Sequence, residues 1–137
     1  MRPEETAKVR EQSVPEAKTV LAVDDNELNL KLFSKALVRA GYRVIEARTG
    51  EECLARLRGE RPAVVLMDVK LPGMDGIEAT RRMKSDPALA GIPVIVVTAY
   101  AMQEDRDKAF DAGCAEFMTK PFHIRELVEA VHRFSGA

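Results

Sequence analysis

Short apolar runs and helical stripes alternate along the chain from Thr19 to its end. Val20 to Val23, Val64 to Met67 and Val94 to Val97 are unbroken apolar runs of four, the pattern of strands covered on both faces. Each stops at polar residues: Asp24-Asp25, Asp68 and Thr98. Two shorter strands are expected at Arg43 to Ala47 and Ala115 to Met118. Helices fill the intervals. The first is predicted from about Glu27 to Ala40, capped by Asn26 or Asp25 and stopped by Gly41. At 100° per residue Leu32, Phe33, Ala36, Leu37 and Ala40 share the side expected to face the core, opposite Lys31, Ser34, Lys35 and Arg39. The others are expected from Gly50 to Gly59, Gly76 to Lys84, Met102 to Ala112 and Ile124 to Phe134. Asp86-Pro87 blocks continuation of the third, and Gly113 ends the fourth.

Five strands alternating with five helices call for an α/β, doubly wound parallel sheet with helices on both faces. Ligands of such sheets bind outside the carboxyl ends of the strands, where the strand order reverses. In the order 2-1-3-4-5 that point lies between the strands carrying Asp24-Asp25 and Asp68. Residues 1–18, with Pro3, Pro15 and charges of both signs but few large apolar side chains, read as a flexible leader. The domain is expected to span 19–135.

Composition narrows the function classes. A chain of 137 residues, 46% hydrophobic and 31% charged, has room for one domain with a real core. Its formal net charge of -1 gives no overall attraction to nucleic acid or an anionic membrane, and no local patch supplies one. The absence of an apolar signal segment or membrane span points to the cytoplasm. Cys53 and Cys114 fit two small hydrophobes in a reducing compartment rather than a disulfide framework.

The strand ends carry the candidate chemistry. Asp24, Asp25 and Asp68 are brought to one rim, where each like-charge pair costs about 4 kcal/mol at about 4 Å and an effective dielectric of about 20. Positive charge must sit among them. Lys120 supplies one, and a hard divalent cation would supply two more. All-oxygen ligands favour magnesium, with manganese possible, and magnesium keeps room in its shell for a phosphoryl oxygen. Phosphoryl transfer follows, with Asp68 as the carboxylate nucleophile, Asp24 and Asp25 on the metal, and Thr98 and Lys120 on phosphoryl oxygens.

Val23-Asp24-Asp25, Asp68 followed by Leu71-Pro72-Gly73-Met74-Asp75-Gly76, Thr98-Ala99 and Lys120-Pro121 resemble, in order and spacing, the response-regulator receiver domains of bacterial two-component signalling. The resemblance covers about residues 19–135. It implies the flavodoxin-like (βα)5 fold, with strand order 2-1-3-4-5, and phosphorylation of Asp68 by a phosphohistidine on a histidine kinase or histidine phosphotransfer protein. It also implies magnesium bound directly by Asp25, Asp68 and the backbone carbonyl of Lys70, with Asp24 acting mostly through water. Thr98 and Phe117 would be switch residues, and Lys120-Pro121 would be cis.

The family's usual docking surface is the fourth helix, fifth strand and fifth helix, here about Met102 to Phe134. A downstream protein target is therefore expected, with the chain a monomer or a phosphorylation-dependent dimer. Nothing follows the last helix, so a module without an output domain is expected. The segment Asp25 to Asn29 and the turn Asp86 to Pro93 are similar to receivers of hybrid histidine kinases and to stand-alone cell-cycle regulators. Phe117 departs from the commoner tyrosine, which leaves the switch resting on packing. Lys70 and Tyr100, each two places beyond a site residue, border the path of attacking water and are expected to lengthen the life of the phosphate.

Blander readings compete at single positions. Asp75 fits a helix cap, and Gly73 and Gly76 fit turns. His123 and His132, about half a turn out of phase, cannot pair on a metal, and Arg81, Arg82 and Lys84 fit a solvated face. Two other functions remain open. A magnesium phosphohydrolase with an Asp nucleophile, of the haloacid-dehalogenase kind, would need an acid where Asn26 stands. A phosphorylation-independent adaptor would keep the fold without using the five site residues.

Overall fold

The computed structural model describes residues 17–99 and 102–136. In chain order the elements are β1 (Thr19–Val23), α1 (Glu27–Arg39), β2 (Arg43–Ala47), α2 (Gly50–Arg56), β3 (Val64–Met67), α3 (Gly76–Ser85), β4 (Val94–Thr98), α4 (Gln103–Ala112), β5 (Glu116–Thr119) and α5 (Ile124–Phe134). The strands form one parallel sheet ordered β2-β1-β3-β4-β5, as in flavodoxin-like folds. The three apolar runs take its centre because only there are both faces of a strand covered. β3 and β4 are buried at every position.

Side chains alternate between two cores. Leu21, Val65, Met67, Val94 and Val96 pack with Cys53 and Leu57, with Ile77, Ala79 and Met83 of α3, and with Ala109 and Ala112 of α4. Val20, Ala22, Val64, Leu66, Ile95 and Val97 pack with Leu30, Phe33 and Leu37 of α1 and with Leu127, Ala130 and Val131 of α5. Each fully buried Leu, Ile or Val contributes about 1.5 to 3 kcal/mol, so this two-sided burial fixes the register on which the strand ends depend.

Capping sets where the helices begin. Asn26, Thr49 and Asp75 each accept, through their side chains, the backbone N–H three residues ahead. Met102 offers α4 no such bond.

Several expectations change. On α1, Leu32 is 45% exposed and Ala40 is exposed, while Leu30 replaces them in the core, because the buried side is turned toward β1 and α5. α2 ends at Arg56, short of Gly59, and β5 starts and ends one residue later than expected. Lys84 does not belong to a solvated basic face: its ammonium donates to the carbonyls of Ala90 (3.0 Å) and Ile92 (2.6 Å) and tethers the turn after α3. Arg81 and Arg82 pair with Glu78 on the surface. The expected leader lies mostly outside the described residues, although Lys18 Nζ donates to the Ser135 carbonyl at 2.6 Å and so ties the start of β1 to the end of α5.

Candidate functional site

The three acids stand one or two residues past parallel strands, and the sheet's own hydrogen bonds hold them there. Asp24 N–H donates to the Ala47 carbonyl (3.1 Å) and Asp68 N–H to the Val23 carbonyl (3.0 Å), extending each ladder beyond its strand. Asp24 is 1% exposed and Asp68 8% exposed, whereas Asp25 points to solvent. One carboxylate oxygen from each lies within 4.8 Å of the other two. Sequence order separates Asp68 from the Asp24-Asp25 pair by more than forty positions; strand order puts β1 beside β3 and closes the distance.

Lys120 joins them from the far edge. Its Nζ lies 2.8 Å from Asp24 Oδ2 and 3.1 Å from Asp68 Oδ2. Its backbone N–H donates to the Thr98 carbonyl at 2.8 Å, and the peptide bond to Pro121 is cis, as expected. Burial alone works to lower the Lys120 pKa. The hydrogen bond to Asp24 and the charges of Asp68 and Asp24 outweigh it, so the net displacement is upward and the ammonium stays charged.

Three carboxylates and one ammonium leave the cluster at about -2. The donor set is all oxygen, with no imidazole or thiol in the group, and this suits a hard divalent cation such as magnesium. The carboxylates are unequally available. Asp24 is already engaged at both oxygens: Oδ1 accepts from Asn26 N–H (2.9 Å), and Oδ2 from Lys120 and the Asn29 amide (3.2 Å). Asp68 Oδ1 accepts from Val69 N–H at 2.7 Å.

Thr98 is fully buried and is the last residue of β4, so it belongs to the strand rather than to the loop beyond it. Phe117, on β5 opposite Val96, is 5% exposed, and the guanidinium of Arg106 lies 4.8 Å from its ring centroid. Lys70 follows Val69 at the surface. Tyr100, the other residue expected to tune phosphate lifetime, lies outside the described residues. Asp75 caps α3, accepting from Glu78 N–H at 2.8 Å. His123 and His132 are separate: His123 precedes α5, and His132 Nδ1 lies 3.2 Å from the Tyr42 hydroxyl.

Two contributors escape the motif reading. Asn29 supports Asp24 from the first turn of α1, a role hinted at only by an amide one turn after an acid pair. Gly76 is more than a turn residue: a Cβ there would come within 1.8 Å of the Asp68 carbonyl oxygen, so a bare Cα lets α3 start against the backbone of the central acid. Asn26, where a haloacid-dehalogenase-type enzyme would place an acid, caps α1. Cys53 and Cys114 are buried free thiols, with pKa values pushed up by burial to about 12 and about 11. No helix among the described residues is long and apolar enough to cross a membrane.

This geometry has close relatives. The chain is 40% identical over 119 residues to the polar-differentiation response regulator DivK of Brucella anthropi, covering 87% of this chain and 97% of the relative. Its fold matches the receiver domain of the sensor histidine kinase PA1611 of Pseudomonas aeruginosa, solved with magnesium coordinated in the active-site cleft. The TM-score is 0.82 at 32% identity, over 88% of this chain and 99% of that one. It also matches the phosphorylated cyanobacterial phytochrome response regulator RcpA, with a TM-score of 0.75 at 31% identity, over 84% and 89% of the two chains. A family model described as the response regulator receiver domain matches residues 20–132. With that match laid over the acids, hydroxyl and lysine gathered at the carboxyl rim of a 2-1-3-4-5 sheet, the chain belongs to the response regulator receiver domains of two-component signal transduction.

Proposed function

We propose that Asp68 is the phosphoacceptor of a receiver domain spanning residues 19–135 and that its phosphorylation switches a partner-binding surface formed by α4, β5 and α5. A carboxylate oxygen of Asp68 attacks the phosphorus of a phosphohistidine on a histidine kinase or histidine phosphotransfer protein. The P–N bond breaks, and the imidazole departs with the electron pair and takes up a proton. The chain supplies acceptor and site, promoting its own phosphorylation and dephosphorylation rather than turning over an independent substrate.

The observation that carries this reading is the position of Lys120, whose ammonium bridges Asp24 and Asp68 from a strand edge that the fold alone brings near. It is placed to follow charge from the Asp68 carboxylate to a phosphoryl oxygen attached there. Asp25, Asp68 and the Lys70 carbonyl would hold magnesium, or manganese in its place. Asp24 would contribute through water, consistent with both its oxygens being engaged within the protein. The bound ion supplies neutralisation of the charge spread over the phosphoryl oxygens. Thr98 then turns its hydroxyl toward the phosphoryl group and Phe117 occupies the space behind it, a population shift whose extent is set by the difference in interaction free energy that phosphorylation creates between two states. Lys70 and Tyr100 obstruct attacking water.

The test is intact mass after incubation with acetyl phosphate and magnesium. Wild type gains one phosphoryl group and Asp68→Asn none, and a gain that survives the substitution moves the chemistry to another residue. In the same time course Lys70→Ala and Tyr100→Ala shorten the half-life of the adduct; an unchanged half-life removes their role in shielding it. Release of phosphate from a generic ester, catalysed at Asp68, would favour a phosphohydrolase instead.

A further inference from the structure

On α4, Arg106 stands between Met102 and Phe110, each four residues away and exposed at 70% and 44%. Yet its guanidinium is turned inward over Phe117, 4.8 Å from the ring centroid. Among the described residues Arg106 enters no salt bridge, although Lys108 of the same helix pairs with Glu104. The ring it covers has no hydroxyl and is 5% exposed, so only packing and the electrostatics of its face can hold it in place. A cation on that face is attracted by the ring quadrupole, and the attraction strengthens as water is excluded.

We propose that Arg106 is a positioning residue for the switch, holding Phe117 inward by a cation–π contact in place of the hydrogen bond a tyrosine would make. This rests on the reading of Phe117 as the switch aromatic. Arg106 thus biases the resting protein toward the arrangement that phosphorylation favours, and by linkage eases phosphorylation. α4 suits this part: it buries only Ala109 and Ala112 and its N-cap makes no side-chain bond, so the Arg106–Phe117 contact adds to a small buried surface.

The test uses the full chain labelled with 4-fluorophenylalanine, with the Phe117 resonance assigned by its loss in Phe117→Leu. The quantity read is the displacement of that resonance on adding acetyl phosphate and magnesium, which cancels any direct effect of the Arg106 charge on the label. Arg106→Met keeps an aliphatic cover but no cation. It is expected to enlarge the displacement, because its ring starts further outward, and to slow phosphorylation about two- to fivefold. Arg106→Lys is expected to return both toward wild type. An equal, non-zero displacement in wild type and Arg106→Met overturns the inference and leaves the switch reading standing. No displacement in either protein sinks the switch reading and the inference with it. Arg106→Lys behaving like Arg106→Met rejects the cationic account, since packing alone would then explain the contact.

Discussion

At the scale of single residues, the site depends on one missing Cβ as much as on its charged groups. Gly76 begins α3 where its Cα meets the Asp68 backbone, and its N–H donates to the Val69 carbonyl at 2.9 Å. Gly76→Ala would drive a methyl into the Asp68 carbonyl oxygen, and neither partner can yield without moving α3 or the central acid. The expected cost is about 1 to 3 kcal/mol, read as a lower urea midpoint, together with slower phosphorylation of Asp68 by acetyl phosphate. An unchanged midpoint would show that the approach is not tight. This constraint is hard to see in the sequence because Pro72-Gly73-Met74-Asp75-Gly76 looks like turn chemistry throughout. Gly73 has a positive φ of 74° and does serve a turn, whereas Gly76 answers to space that only the folded chain creates. Asp24, Asp68, Thr98 and Lys120 are legible for the opposite reason. Asp24, Asp68 and Thr98 each follow an apolar run, Lys120 stands one residue past β5 before Pro121, and strand ends converge in any parallel sheet.

At the scale of elements, stop and start signals carry most of the information. Asp75 accepts the Glu78 N–H and opens α3, whose position sets the loop beyond Asp68. Asp75→Ala is expected to cost about 1 kcal/mol, a fall in melting temperature of about 3 to 5 °C for a domain of this size. Met102→Ala, at the equivalent position of α4, has no cap bond to lose and should change stability by less than about 0.5 kcal/mol. Equal losses at the two sites would contradict the assignment of caps. Strand and helix order can be read from the chain because apolar runs and periodic stripes are local properties. The orientation of α1 is less accessible. Leu28, Leu32 and Ala36 form a respectable apolar stripe, but Leu28 is 76% exposed, since α1 turns Leu30, Phe33 and Leu37 toward the sheet and α5. A helical wheel gives relative angles and leaves open which side meets a partner that is remote in sequence. The same limit hides the Arg106–Phe117 and Tyr42–His132 contacts, each made between separate elements.

At the scale of the whole molecule, fold stability and site chemistry meet in electrostatics. The sheet brings three carboxylates together, and Lys120 offsets only part of the repulsion, so a divalent cation bound among them would relieve the rest. Magnesium bound to the folded state alone should raise the melting temperature with saturation, by an amount equivalent to about 2.7 kcal/mol at a free concentration 100 times the dissociation constant. Asp25 is the acid to alter, because it is exposed and its removal leaves the Lys120 bridge to Asp24 and Asp68 in place. Two changes of opposite sign are expected in Asp25→Asn. Without metal it melts higher than wild type, by the repulsion relieved, about 1 kcal/mol at an exposed position. With magnesium it gains little, because a ligand charge is gone, so the melting curves of the two proteins cross as the metal concentration rises. Differential scanning calorimetry across a magnesium titration reads both signs. A wild-type melting temperature indifferent to magnesium, or an Asp25→Asn protein with an undiminished rise, would separate the clustered acids from metal binding and leave their crowding without a functional cause.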